Sequence, residues 1–308
     1  MRLTGAGVLV YTVHQGEILV LLGRERETPG WRQGSHKWSS FSGKVESHEN
    51  ALQGAAREFA EEACACVPIA GQEVPTKVQD VADMLRLHAR AVEQSSQSKG
   101  ERLVYCTYIV RVPHHPYEDY FARTREKLLE LDAVFRNFYR VKKQAEGAPR
   151  FFLPGFSLSA RITVVSFHVS SDTEVEVTMH EEDSLADLVS VFSVSAEVAM
   201  SLRELEEAWQ EVQDFIRARS HDPIFSHPAV NVETSRKQIV SAYVNKAYLE
   251  KCEIRWWKLS DLLRLQEQPW NSADSPFRRL FLENISTLAR HVMHLEQQRT
   301  TDPDSVSG

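Results

Sequence analysis

The sequence predicts an α/β fold: a mixed sheet flanked by helices, with a large, mostly helical insertion. Three observations carry this. Apolar, β-rich runs recur at Gly5–Val13, Glu17–Leu22, Leu103–Val112 and Glu253–Trp257. Between Asn50 and Ala65 the apolar spacing changes to that of a helix. Between residues 114 and 245 the composition changes and long helical patterns dominate.

The first two runs are separated by His14-Gln15-Gly16, a turn signal, and read as a hairpin. Residues 23–37 are charged and contain Gly and Pro, so a loop is expected, followed by a short extended piece from Lys37 to Phe41 that ends at Gly43. Residues 71–100 are polar and finish in Ser95–Gly100, which reads as a flexible connection. Within the insertion, 119–143 reads as a helix with Leu128, Leu129, Val134, Phe135 and Phe138 as its apolar side. Arg161–Val169 and Thr173–Met179 read as a strand pair, and 185–219 as one or two helices. After the strand at Glu253–Trp257, Leu259–Leu265 is a short helix. Phe277, Leu280, Phe281, Ile285, Leu288, Val292 and Leu295 then trace one face of another. Thr300–Gly308 reads as a disordered tail.

Composition narrows the function classes. The chain has 308 residues and a formal charge of −7, which argues against a wholly basic nucleic-acid binder. Residues 172–214 alone carry −12, leaving +5 on the rest, so the remainder need not repel a polyphosphate or RNA. Four cysteines are too few for a disulfide framework and suit a reducing compartment. No apolar stretch reaches the length of a membrane span, and the chain opens on a strand-like run rather than a leader. An intracellular, cytoplasmic protein with no membrane partner is expected.

The chemistry is concentrated in residues 43–65. On a helical wheel Glu58, Glu61 and Glu62 fall at about 0°, −60° and +40°, on one edge of a helix whose neighbouring face is apolar. Acids at i, i+3 and i+4 repel each other by a few tenths of a kcal/mol per pair on an exposed helix. The only nearby base is Arg57. A divalent cation would resolve the clash, since Mg²⁺ takes oxygen ligands from one or two carboxylates plus phosphates and water. A solvated acidic helix face is the competing explanation of these three residues taken alone.

The wider pattern decides between them. Gly43, Glu49, Arg57-Glu58 and Glu61-Glu62, spaced by five, seven and two residues, resemble the Nudix box. The resemblance implies an α/β/α sandwich with the box as loop, helix and loop. It also implies a Mg²⁺- or Mn²⁺-dependent hydrolase that cleaves a phosphoanhydride bond in a nucleoside diphosphate-linked or polyphosphate substrate, with capped or 5′-polyphosphorylated RNA within that class. Carried over, Glu58 and Glu62 are metal ligands, Gly43 gives the backbone room near the metal, and Glu61 is a further ligand or the base. Arg57 orients a carboxylate such as Glu49. The sequence departs from the family at Cys64, where glycine is usual, and at Ala65, Ser42 and His48. A left-handed backbone at a non-glycine Cys64 would cost about 1 kcal/mol.

Outside the box the resemblance is weak: Gly5–Glu25 looks like the opening strands, Trp38–Phe41 like the entry to the box, and Glu253–Leu263 like the closing strand and helix. It gives a core in two parts, 1–113 and 246–298, an insertion at 114–245 and a tail at 299–308. Arg24 and Lys44 are candidate phosphate contacts, and Trp257 is a candidate for stacking on a base, with Trp256 in the core. Glu182, or its neighbour Glu181, is a candidate catalytic acid from outside the box. Cys64 and Cys66 read as small buried residues, and His114-His115 as loop. The alternative function is a Nudix-fold nucleotide- or RNA-binding subunit without turnover, and the insertion could dock a protein partner.

Overall fold

The computed structural model describes residues 2–31, 34–69, 74–98, 101–144, 161–182, 187–235, 238–268 and 275–301. The chain divides into two compact units: Met1–Arg125 with Lys246–Gly308, and Glu126–Asn245.

The first unit opens with the expected hairpin, β1 (Arg2–His14) and β2 (Glu17–Glu25), closed by His14 opposite Glu17. The short strands β3 (Trp38–Ser39) and β4 (Phe41–Gly43) lead into α1 (Ala51–Glu62). Then come α2 (Val78–His88), β5 (Arg90–Ser98), β6 (Glu101–Arg111) and the start of α3 (Tyr117–Gln144).

The second unit continues α3 and adds a three-stranded antiparallel sheet of β7 (Ile162–Val169), β8 (Glu174–Glu181) and β9 (Leu188–Ser193). It is completed by α4 (Ala196–Ala218) and the antiparallel pair β10 (Val230–Ser235) and β11 (Gln238–Val244). Its interior includes Leu128, Phe135, Val164, Val177, Leu202 and Trp209. The chain returns to the first unit through a 3₁₀ turn at Lys246–Leu249, then β12 (Lys251–Lys258), α5 (Leu259–Gln266) and α6 (Arg279–Thr301).

The sheet of the first unit runs β12-β2-β1-β6-β5, with β3 on β2 and β4 on β1. Only β1 and β6 are parallel, so the sheet is mixed. Alternate residues of β1 serve opposite layers, as the pleat requires. Leu9 and Tyr11 pack with Leu262, Phe281, Ile285 and Val292 of α5 and α6. On the other face lies α1, where Phe59 meets Phe41 edge-on at 5.4 Å and Phe41 pairs with Val8. The result is an α/β sandwich with the box helix on one face. No helix among the described residues is long and apolar enough to cross a membrane.

Several expectations need correction. The expected loop 23–37 starts later, because β2 continues to Glu25, which pairs with Lys251 of β12. The polar stretch 71–100 contains α2 and β5. There β6 supplies every backbone partner of an edge strand, so side-chain polarity does not prevent pairing. Of the helical reading over 185–219, Leu188–Ser193 is instead a strand, paired along its whole length with β8. Leu280, placed on the buried face of the last helix, is 65% exposed. Helix α6 extends to Thr301, and the rest of the expected tail lies outside the described residues.

Candidate metal and catalytic site

Helix α1 is started by a capping box: the Asn50 side chain accepts from Gln53 N–H while Gln53 accepts from Asn50 N–H. It buries Ala55, Ala56, Phe59 and Ala60 against the sheet and leaves its acidic edge at the margin. Its end is closed by Ala65 N–H on the Ala60 carbonyl at 2.7 Å, a six-to-one bond of the kind that normally uses glycine. Here Cys64 (φ 53°) and Ala65 (φ 49°) are both left-handed. Each carries a penalty of about 1–2 kcal/mol that the buried packing around it must offset.

The carboxylates fall into two sets. Arg57 holds the first. Its Nε and Nη2 donate to the two oxygens of Glu49 at 2.7 and 3.1 Å, the bidentate geometry that makes Arg–carboxylate pairs strong. Its Nη1 donates to Glu58 Oε1 at 2.9 Å and Glu61 Oε2 at 3.0 Å, and its Nη2 also reaches the Lys44 carbonyl at 2.9 Å. One guanidinium thus serves three carboxylates. The second oxygens, Glu58 Oε2 and Glu61 Oε1, accept no hydrogen bond from the described residues. Gly43 makes room for this set: a Cβ there would lie 2.3 Å from the Glu58 carboxyl carbon.

Burial raises the proton affinity of Glu58 and Glu61, and the charge and hydrogen bonds of Arg57 pull it back only in part. Glu250, exposed at the turn before β12, adds a like charge that raises both further. Glu49 goes the other way, because its bonds from Arg57 hold it below the ordinary carboxylate range.

Glu62 belongs to the second set and is buried. Its Oε2 accepts Ser42 N–H at 2.6 Å, and its Oε1 lies 3.0 Å from Lys251 Nζ. Lys251 is fully buried and also donates to Glu25 Oε1 at 2.5 Å and Ser39 Oγ at 3.0 Å. Arg278 Nη1 completes the set on Glu25 at 3.2 Å. Two cations face two carboxylates. Burial is the dominant influence on Glu62 and pushes its carboxyl up, against the pull of Lys251.

Among the described residues no group of three or more His, Cys, Asp or Glu side chains stands ready to hold a metal ion. The first set nevertheless fits a hard divalent cation of the Mg²⁺ type. Such an ion takes one or two protein carboxylates and completes its shell with water and substrate phosphates, and Glu58 and Glu61 each have an oxygen to offer.

The remaining candidates lie elsewhere. Arg24 is on β2, bonded to Glu253 Oε2 and the His36 carbonyl, both at 3.3 Å. Lys44 is exposed beside the box. Trp257 is not an outward stacking surface. Its ring packs edge-on against Trp38 at 5.4 Å and Phe277 at 5.2 Å in the core cluster, because it points to the α5–α6 face. Trp256, expected in the core, is half-buried on the opposite side, with its indole N–H on the His115 carbonyl at 3.0 Å. Glu182 is exposed in the second unit, its N–H bonded to the Arg161 carbonyl. Glu25, Ser39, Glu250, Lys251 and Arg278 were not legible as site residues. A lysine or glutamate in a strand or turn carries no local signal of a partner brought alongside only by the sheet.

A mixed sandwich with a carboxylate-edged helix after a glycine-ended strand defines a class, and comparison supplies its family. Residues 1–116 match the NUDIX domain model, and this part of the chain belongs to the Nudix superfamily. The crystal structure of a C. elegans Ap4A hydrolase binary complex is similar at 19% identity over 36% of this chain and 67% of that one, with a TM-score of 0.22. The NUDIX domain of Shewanella oneidensis NrtR, complexed with ADP ribose, gives 16% identity over 37% and 63%, with a TM-score of 0.22. The full S. oneidensis NrtR gives 12% over 83% and 100%, with a TM-score of 0.25. Comparison with curated proteins gives no significant match.

Proposed function

We propose that the protein is a divalent-cation-dependent pyrophosphohydrolase acting on a nucleoside diphosphate-linked or polyphosphate substrate. The observation that carries this is the charge imbalance around Arg57: one guanidinium orders Glu49, Glu58 and Glu61, yet two carboxylate oxygens accept no hydrogen bond from the described residues. In this reading Glu58 and Glu61 hold Mg²⁺ or Mn²⁺, and Glu250 is a third carboxylate close enough to act on both.

When bound, the cation neutralises charge developing on the phosphate oxygens and makes a bound water more acidic. The protein supplies the rest. Arg57, anchored on Glu49 and the Lys44 carbonyl, fixes both carboxyl planes. Glu61 Oε1, the oxygen that Arg57 leaves free, would be the group's ligand to the cation. Lys44, exposed beside the box, is placed to meet a substrate phosphate. Incubation of the pure protein with Mg²⁺ and a panel of nucleotide sugars, dinucleoside polyphosphates and capped RNA tests the proposal. Product release abolished by Glu61→Gln supports it; release unchanged by that substitution defeats it.

One observation favours the second reading, a Nudix-fold binding subunit without turnover: Glu62, a metal ligand by resemblance, is already engaged by Lys251. Nucleotide binding indifferent to divalent cations, with no cleavage across the panel, would decide for it.

A further inference from the structure

The ammonium of Lys251 has three N–H donors, and three oxygens meet it: Glu25 Oε1, Glu62 Oε1 and Ser39 Oγ. Two carboxylates and a hydroxyl are also an oxygen set that a hard divalent cation accepts. The side chain reaches this point because the sheet was cleared for it. A Cβ at Gly23 would stand 3.0 Å from both Cγ and Cδ of Lys251, so the lysine stem lies directly over that glycine. The place is buried, closed by Ser42 N–H on Glu62 and by Arg278 on Glu25. A lysine threaded so tightly onto two acids is a tethered cation.

We propose that the Lys251 ammonium stands in place of a divalent cation at Glu25 and Glu62, so that the number of cations the protein binds rises by one when the ammonium is removed. The cation held in the wild type is the one assigned to Glu58 and Glu61, and that part rests on the proposed function.

The test counts bound Mn²⁺ from the resonance of the free ion, without substrate, and follows thermal unfolding with and without Mn²⁺. The wild type should hold one ion and Lys251→Met two. Adding Glu62→Gln to that variant should return the count to one. Mn²⁺ should raise the unfolding midpoint of Lys251→Met by more than that of the wild type. A count of two in the wild type overturns the proposal, as does a count of one in Lys251→Met with no extra thermal shift. If the wild type binds none, the assignment to Glu58 and Glu61 fails on its own. The lysine is then judged by its variant, where one ion supports the proposal and none overturns it. If Lys251→Met does not fold, Glu62→Gln alone decides. Unchanged Mn²⁺ affinity supports the lysine as occupant, and a fall of roughly tenfold or more, as for loss of a group supporting a metal, overturns it.

Discussion

Helix α1 carries two carboxylate clusters that differ in their charge balance. On its outer edge a single arginine meets Glu49, Glu58 and Glu61. On its buried side Lys251 and Arg278 meet Glu25 and Glu62. The outer cluster is short of positive charge and partly buried; the inner one is balanced and, Arg278 apart, almost wholly buried. A cluster with unmet negative charge can recruit an ion, whereas a balanced buried one acts as internal structure. Adjacent glutamates, Glu61 and Glu62, therefore fall into clusters of opposite charge balance.

The contrast can be broken from either side. Glu61→Gln should lower turnover by at least about 10–100-fold, the loss typical even of groups that only support a metal, while leaving the fold intact, measured as phosphate-bond cleavage beside a circular dichroism spectrum. Lys251→Met should act in reverse, destabilising the metal-free protein by about 3–5 kcal/mol in urea denaturation, because two buried carboxylates lose their shared cation. Equal stability of the two variants would erase the distinction. Gly43→Ala should push the Glu58 carboxyl aside and weaken Mn²⁺ binding without touching the inner cluster, seen by calorimetric titration.

A pH series sharpens the same point. Glu58 and Glu61 hold protons more tightly folded than unfolded, so their contribution to stability is greatest near and below the ordinary value of 4.5 and is lost as pH rises through their raised folded values. Glu49 has the opposite sign and stabilises above 4.5, losing that effect as pH falls. Metal-free protein should lose urea resistance on going from pH 4.5 towards neutrality, and Glu58→Gln with Glu61→Gln should reduce that loss to the part that buried Glu62 contributes. The smallest effect belongs to Cys64→Gly, where relief of a left-handed non-glycine residue and loss of a buried side chain oppose each other, so stability should change by less than about 1 kcal/mol.

The outer cluster was legible because helical spacing puts Glu58 and Glu61 on one edge and the resemblance to the Nudix box tied Arg57 and Glu49 to them. The hairpin was legible because its apolar runs are near-continuous, as in strands buried on both faces, and the closing strand because its run is apolar and aromatic. The inner cluster was not, because Lys251 reaches Glu62 only after the chain has passed through the entire second unit and returned as the strand beside β2. The edge strand β5 was missed for a related reason: its residues, such as Glu93 and Gln94, are polar, and its stability comes from the ladder with β6. Trp256 and Trp257 were read in inverted order because alternation says that neighbours face opposite ways but not which way is in.

The close passage of Lys251 over Gly23 makes those two positions a single heritable unit. A side chain at 23 crowds the lysine stem, which must then shift, and loss of the lysine removes the demand for glycine. Across descendants of this domain, glycine at the first position should accompany lysine at the second, and bulkier residues at 23 should appear only where 251 has changed. Such paired substitution would mark, from sequence alone, which branches keep the internal cation and which have opened its place.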